Sequence, residues 1–180
     1  MITVLATVQC ASDIATLRWS LLRQTDQRWL CWYGGPCAAL HATAHAFATR
    51  VPPWRLRGVA YPTGAAPHVQ LTPLVRDVTT PLTLWLPHGV CALSHDVVAW
   101  ALDARESAPL RALTVDTDER RIVATNDLTA AELCHAAACV ETALLRSAWA
   151  ASAELTWERL RSRSSLTTGT CDIGVRTCDT

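Results

Sequence analysis

Lysine is absent from this chain, yet positive charge is not scarce: 16 basic residues, all arginine, balance 16 Asp plus Glu for a formal net charge of +0. That neutrality, with no basic run longer than the mixed RLRSRS of Arg159 to Ser164, argues against nucleic-acid binding as the main role. No apolar stretch approaches the roughly 20 residues a bilayer-spanning helix needs, so no membrane span is expected. The start, MITVLATVQCAS, has no basic n-region; it reads as a first strand rather than a signal peptide, which places the chain in the cytoplasm. Eight cysteines are present, but none forms the Cys-x-x-Cys spacing that points to zinc or dithiol chemistry. They read as buried thiols, with Cys171 and Cys178 in the tail the loosest exception.

What is there is a globular composition. Half of the 180 residues are apolar and 18% are charged, enough for one domain with a proper core. We expect that domain over 1–163 and a C-terminal tail over 164–180. Ile2 to Val8 is β-branched and apolar, as a buried strand requires. A helix follows, capped by Ser12 or Asp13, with Ile14, Leu17 and Leu21 forming one apolar stripe. Trp29 to Tyr33 is the second strand, stopped by Gly34, Gly35 and Pro36. Cys37 to Arg50 is an alanine-rich helix, Leu56 to Tyr61 a third strand, His68 to Asp77 a helix, Leu82 to Leu86 a fourth strand and Ser94 to Leu102 a helix. Strands at Leu110 to Val115 and Arg121 to Ala124 enclose the acidic turn DTDER, and Cys139 to Leu145 is favoured as strand over helix. A helix starting at Asp127 or Thr129, and another over Ala153 to Arg163, complete the reading. Alternating strands and helices predict an α/β fold, a single-domain, mostly parallel sheet flanked by helices. In such sheets a ligand sits at the carboxyl ends of the strands.

The succession of segments carries a resemblance. A strand, then a helix ending in LLRQTDQRW, then an apolar strand is similar to the start of GT-A fold glycosyltransferases of the large inverting family 2, particularly bacterial rhamnosyl transferase-like members. Thr79 to Leu102 resembles that family's fourth strand, metal loop and following helix; Leu113 to Ile122 resembles its acidic strand-turn; Leu144 to Leu160 resembles the acceptor-side segment carrying the base. About 160 residues are covered in order. The resemblance implies a nucleotide-diphosphate sugar as donor, a hydroxyl acceptor, and a divalent Mg or Mn ion neutralising the leaving diphosphate through hard oxygen ligands. It also implies a carboxylate base within reach of the attacking oxygen.

Carried over position by position, the resemblance assigns Gly34 and Gly35 to substrate contact where the family has an acidic residue, and His88 to the first Asp of the metal loop. Asp116 and Asp118 become possible metal ligands from the acidic turn, with Asp118 also near the diphosphate. Thr156 occupies the expected base position, and Glu158, two residues on, is the substitute catalytic base. Against each stands a plainer reading: a hydrogen-bonded loop histidine, a solvated turn, an exposed helical glutamate. Elsewhere, His41 and His45 lie one helical turn apart and could face zinc, Cys91 has His88 and His95 nearby, and Trp54 or Trp85 could stack on a sugar. Two functions therefore stand side by side. One is sugar transfer with an atypical donor site; the other is a catalytically inactive GT-A-like domain that serves as a structural, assembly or partner-binding subunit with a protein partner.

Overall fold

A computed structural model describes residues 1–61, 67–86, 90–93, 95–107, 112–116, 121–123, 138–143, 145–146, 170–171 and 176–177. At its centre is β1 (Ile2–Thr7), buried at every position. Strands that read as unbroken apolar runs must be covered on both faces, and β1 is flanked in parallel by β2 (Trp29–Gly35) and β4 (Leu82–Leu86). The next strand, β3 (Leu56–Ala60), adds in parallel outside β2. Beyond β4 the sheet changes character. There β8 (Ala138–Glu141), β6 (Ala112–Asp116), β7 (Arg121–Val123) and β9 (Thr170–Cys171) follow in antiparallel pairs. The order is β3-β2-β1-β4-β8-β6-β7-β9, and a separate pair joins β5 (Val90–Ala92) to β10 (Arg176–Thr177).

The parallel half matches the strands expected from hydrophobic pattern to within a residue or two, except that β2 does not stop at the glycines. It runs through both, and Pro36 then caps α2 (Cys37–Phe47). In the antiparallel half, β8 is a strand as favoured, giving way to helical backbone at Thr142. The expected helices, one starting at Asp127 or Thr129 and one over Ala153 to Arg163, lie outside the described residues, whereas the tail residues Thr170–Cys171 and Arg176–Thr177 pair with β7 and β5.

Two helical layers enclose the parallel strands. On one face α1 (Ala11–Leu22) packs beside α2, and Ile14, Leu17 and Leu21 meet Ile2, Val4, Trp29 and Cys31, as the stripe predicted. Val97, Val98, Ala101 and Leu102 of α4 (Val97–Ser107) complete this core. The crossover rule sends the return connection from β3 to β4 over the other face. There α3 (Pro67–Asp77) lies across β1, β2 and β3, burying Leu74 and Val75 completely or nearly so. Two threonine pairs lie on that side: the Thr3 and Thr80 hydroxyls bond at 2.7 Å and those of Thr83 and Thr142 at 2.8 Å.

The α1–β2 connection is where QTDQ (Gln24 to Gln27) acts. The buried Gln24 amide donates to the Ser20 carbonyl at 2.9 Å, and its oxygen accepts the Val98 N–H at 3.0 Å, capping the first turn of α4 from 74 residues away. Ser20 Oγ accepts the Leu93 N–H, Thr25 N–H reaches the His95 carbonyl, and Gln27 donates to the Gln24 carbonyl. Asp26 accepts hydrogen bonds from the Arg28 backbone N–H and from its guanidinium Nε and Nη2, which holds the Asp26 carboxyl below its ordinary range. This segment is a clasp between α1 and the chain entering α4.

Candidate functional site

The four parallel strands β1 to β4 end on one edge, where a ligand of an α/β sheet is expected. Ala6 has Tyr33 on one side and Leu86 on the other in register. The second and fourth strand ends, on which the expected donor site depends, therefore flank the same residue of β1. Since β6 runs antiparallel to β8 and β8 antiparallel to β4, β6 points the same way as β4. Both Trp85 and Thr114 register with Ala138, so the backbone of Asp116 stands at the level just beyond Leu86 on this edge. Of the other expected site residues, His88, Asp118 and Glu158 lie outside the described residues.

Gly34 and Gly35 are both buried at the end of β2. Their neighbours are the protein's own strands: Val8 N–H donates to the Gly34 carbonyl at 2.9 Å and Tyr61 N–H to the Gly35 carbonyl at 3.2 Å. A Cβ at Gly35 would overlap the Val8 carbonyl oxygen and approach its Cγ2 to 2.9 Å. That contact accounts for a glycine where an acidic side chain was expected. The backbone of β1 fills the space a carboxylate stem would need.

Around the glycines the edge carries polar groups that pattern reading did not single out. At the end of β1, Thr7 is 7% exposed and its hydroxyl has no hydrogen-bond partner among the described residues. Just past β3, Tyr61 is 9% exposed and its hydroxyl is likewise unpaired among the described residues. Burial, and secondarily the charge of Asp13, push the Tyr61 phenol above its ordinary range, so it is a neutral donor at physiological pH. Asp13 sits in the first turn of α1, where its carboxylate accepts Gln9 N–H at 2.8 Å and Cys10 N–H at 3.2 Å. It does so from the third helical position, with Cys10 rather than Ser12 or Asp13 as the N-cap. A buried hydroxyl without a partner costs about 1–3 kcal/mol; two such hydroxyls lie on this edge, while the other buried side-chain atoms without a partner among the described residues, Arg18 Nε and Trp29 Nε1, lie away from it. The available signal was positional: Thr7 closes β1 and Tyr61 follows β3.

Other sequence candidates resolve differently. Trp54 precedes β3 in a 3-10 turn, Pro53–Arg55, and therefore lies at the amino edge, away from any ligand at the strand ends. Trp85 is buried inside β4. His41 and His45 are exposed on α2, and among the described residues no group of three His, Cys, Asp or Glu side chains could hold a metal. Cys31 and Cys139 are buried thiols as expected; burial pushes Cys139 up to about 12 and Cys31 further. Cys10 and Cys37 are exposed.

No family model matches the chain, and no curated sequence matches it. Solved structures do. S. aureus TarS (residues 1–349) superposes with a TM-score of 0.60 at 13% identity, over 81% of this chain and 48% of that one. The chain thus spans about half the length of that protein. The 4-diphosphocytidyl-2C-methyl-D-erythritol synthase of Anaerococcus prevotii DSM 20548 gives 0.59 at 9% identity, over 91% and 82% of the two chains. The CMP:2-keto-3-deoxy-manno-octonic acid synthetase solved with CTP gives 0.50 at 9%, over 90% and 85%. The fold is therefore that of the nucleotide-diphospho-sugar transferases, the GT-A-like architecture; identities this low speak to fold alone.

Proposed function

We propose that the chain binds a nucleotide at the carboxyl edge of β1, β2 and β3 and transfers a sugar from a nucleotide-diphosphate donor to an acceptor, through a donor site that departs from the inverting family-2, rhamnosyl transferase-like pattern. The observation that carries the reading is the pair of buried, unpartnered hydroxyls, Thr7 and Tyr61, at the strand ends where this fold class receives ligands. A nucleoside offers the missing partners in its base edge and ribose hydroxyls. Two of the structural neighbours are named for cytidine nucleotide chemistry or hold CTP, which agrees with this assignment.

In this reading Gly34 and Gly35 keep the floor of the site free of side chains, and Thr7, Asp13 and Tyr61 supply polarity around it. Asp116, with Asp118 and His88, is the set that would face the diphosphate, alone or with a divalent Mg or Mn ion, whose chemistry would be charge neutralisation on the leaving group. Glu158 is the proposed base. The second reading, a GT-A-like domain without catalysis that binds a protein partner, draws on one observation: the packing of Gly35 against Val8 leaves no room for the family's acidic residue.

Melting the full chain with UDP-, GDP-, dTDP- and CDP-sugars, each with and without Mn²⁺, separates the two. A donor at one hundred times its Kd stabilises by about 2.7 kcal/mol, which for a domain of this size raises Tm by roughly 5–10 °C. Absence of any shift across the set would refute nucleotide binding and leave the partner-binding reading.

A further inference from the structure

We propose that the amino edge of the sheet, opposite the nucleotide edge, is a docking face for an anionic lipid surface. Among the described residues the exposed large apolar side chains are Met1, Trp19 and Trp54, at 47%, 50% and 63% exposure. Topology brings all three to one end. Met1 precedes β1 and Trp54 precedes β3, both at the amino edge, while α1 runs back against the strands so that Trp19 lies in its closing turns there. Scattered exposed apolar residues need no explanation, but their confinement to one end does.

Arginines gather at the same end. Arg23 follows α1 and its guanidinium lies 4.3 Å from the Trp19 ring centroid; Arg55 lies 5.2 Å from Trp54. Arg50 follows α2 and Arg76 closes α3. Neither Arg23, Arg50, Arg55 nor Arg76 is ion-paired among the described residues, whereas the carboxylates of Asp26 and Asp77 at this end are engaged by Arg28 and Arg57. Asp96, next to the His95 carbonyl that takes Thr25 N–H, and Glu141, at the end of β8, bring further negative charge on the β4 side. The excess is thus confined to the α1–β2–β3 half. A chain of net charge +0 has concentrated cationic and indole groups on one rim.

Tryptophan is the side chain most at home at a membrane–water interface, and arginine supplies attraction to anionic headgroups while burying its stem. Stacking Arg23 on Trp19 and Arg55 on Trp54 makes one amphipathic unit of each pair. No helix among the described residues is long and apolar enough to cross a membrane, so contact would be peripheral, with the nucleotide edge turned toward solvent. The claim does not depend on nucleotide binding, because the two edges share no residue.

Co-flotation of the full chain with phosphatidylcholine vesicles, with and without phosphatidylglycerol, tests it. Binding is expected only with the anionic lipid and should weaken as salt rises. Arg23→Glu and Arg50→Glu should each lower partitioning, by roughly five-fold or more per lost charge, and Trp54→Ala should lower it several-fold while circular dichroism stays unchanged. A bound nucleotide should leave partitioning unaltered. Equal or absent binding to both vesicle types, or variants that bind like wild type, would overturn the proposal. So would retention on a poly-glutamate resin without vesicle binding, which would reassign the rim to an acidic protein.

Discussion

The two ends of the parallel sheet are built from the same four strands, and the QTDQ turn at one end handles its polar side chains differently from the strand ends at the other. At the amino end three side chains of the QTDQ turn are bonded within the chain: Gln24 closes the first turn of α4, Gln27 bonds Gln24, and Asp26 holds Arg28, while the indole N–H of Trp29 just after it is buried without a partner among the described residues. At the carboxyl end Thr7 and Tyr61 are buried and keep hydroxyls without partners. A side chain paired within the chain stabilises the fold; one left unpaired is tolerated only where something else repays it. The contrast is between the paired turn and the two orphan hydroxyls, not between the two ends as wholes. It also predicts opposite signs for substitutions at the two ends.

The largest expected effect tests whether the glycine at the carboxyl end is structural. Gly35→Ala places a methyl group into the Val8 backbone, which is rigid, so overpacking of about 3 kcal/mol is expected. Thermal unfolding should show a Tm lower by roughly 6–12 °C. A variant as stable as wild type would mean that β2 can move away from β1, and the steric account of the missing acidic residue would fail. Next in size is Gln24→Ala. It leaves the Val98 N–H and the Ser20 carbonyl buried without their partner, and a loss of about 2 kcal/mol in urea unfolding is expected. If the loss is small, the amino end is not the clasp described above.

Thr7→Val and Tyr61→Phe should act in the other direction. Each removes an orphan oxygen while keeping the shape, so the free protein should be as stable as wild type or more stable by about 1 kcal/mol. The shift in Tm on adding a nucleotide sugar should shrink at the same time. Loss of stability in both variants would show that the hydroxyls have partners within the fold, and the carboxyl end would no longer differ from the amino end.

How much of this was legible beforehand divides along the same line as the topology. The parallel strands announce themselves: Ile2 to Thr7 and Leu82 to Leu86 are short apolar runs, and the stripe of Ile14, Leu17 and Leu21 faces the core as its spacing requires. The antiparallel half is harder, because β5 and β7 have three residues each and β9 and β10 two. Such segments are strands only through partners remote in the chain. The same holds for the site. Proximity of Tyr33 and Leu86 follows from strand order, but Gln24 bonding Val98 and Gly35 meeting Val8 are tertiary facts with no local periodicity. Ser12 or Asp13 was expected as the cap; Cys10 takes that position, and Asp13 reaches back from N3 to the Gln9 and Cys10 N–H groups.

The smallest effect sharpens the amino end. Asp26 is held below the ordinary carboxylate range chiefly by its hydrogen bonds to Arg28, a side chain that is 57% exposed, so solvent screening leaves the pair worth only about 0.5 kcal/mol. A carboxyl whose folded pKa is depressed stabilises the fold at pH above its unfolded value and loses that contribution as pH falls through the folded one. Asp26→Asn should therefore be slightly less stable than wild type at neutral pH, and the difference should close as pH drops from about 4 downward. A gap that persists unchanged in acid would mean that the side chain acts through the geometry of its two oxygens on the Arg28 guanidinium, which the NH2 of asparagine cannot reproduce, and not through charge.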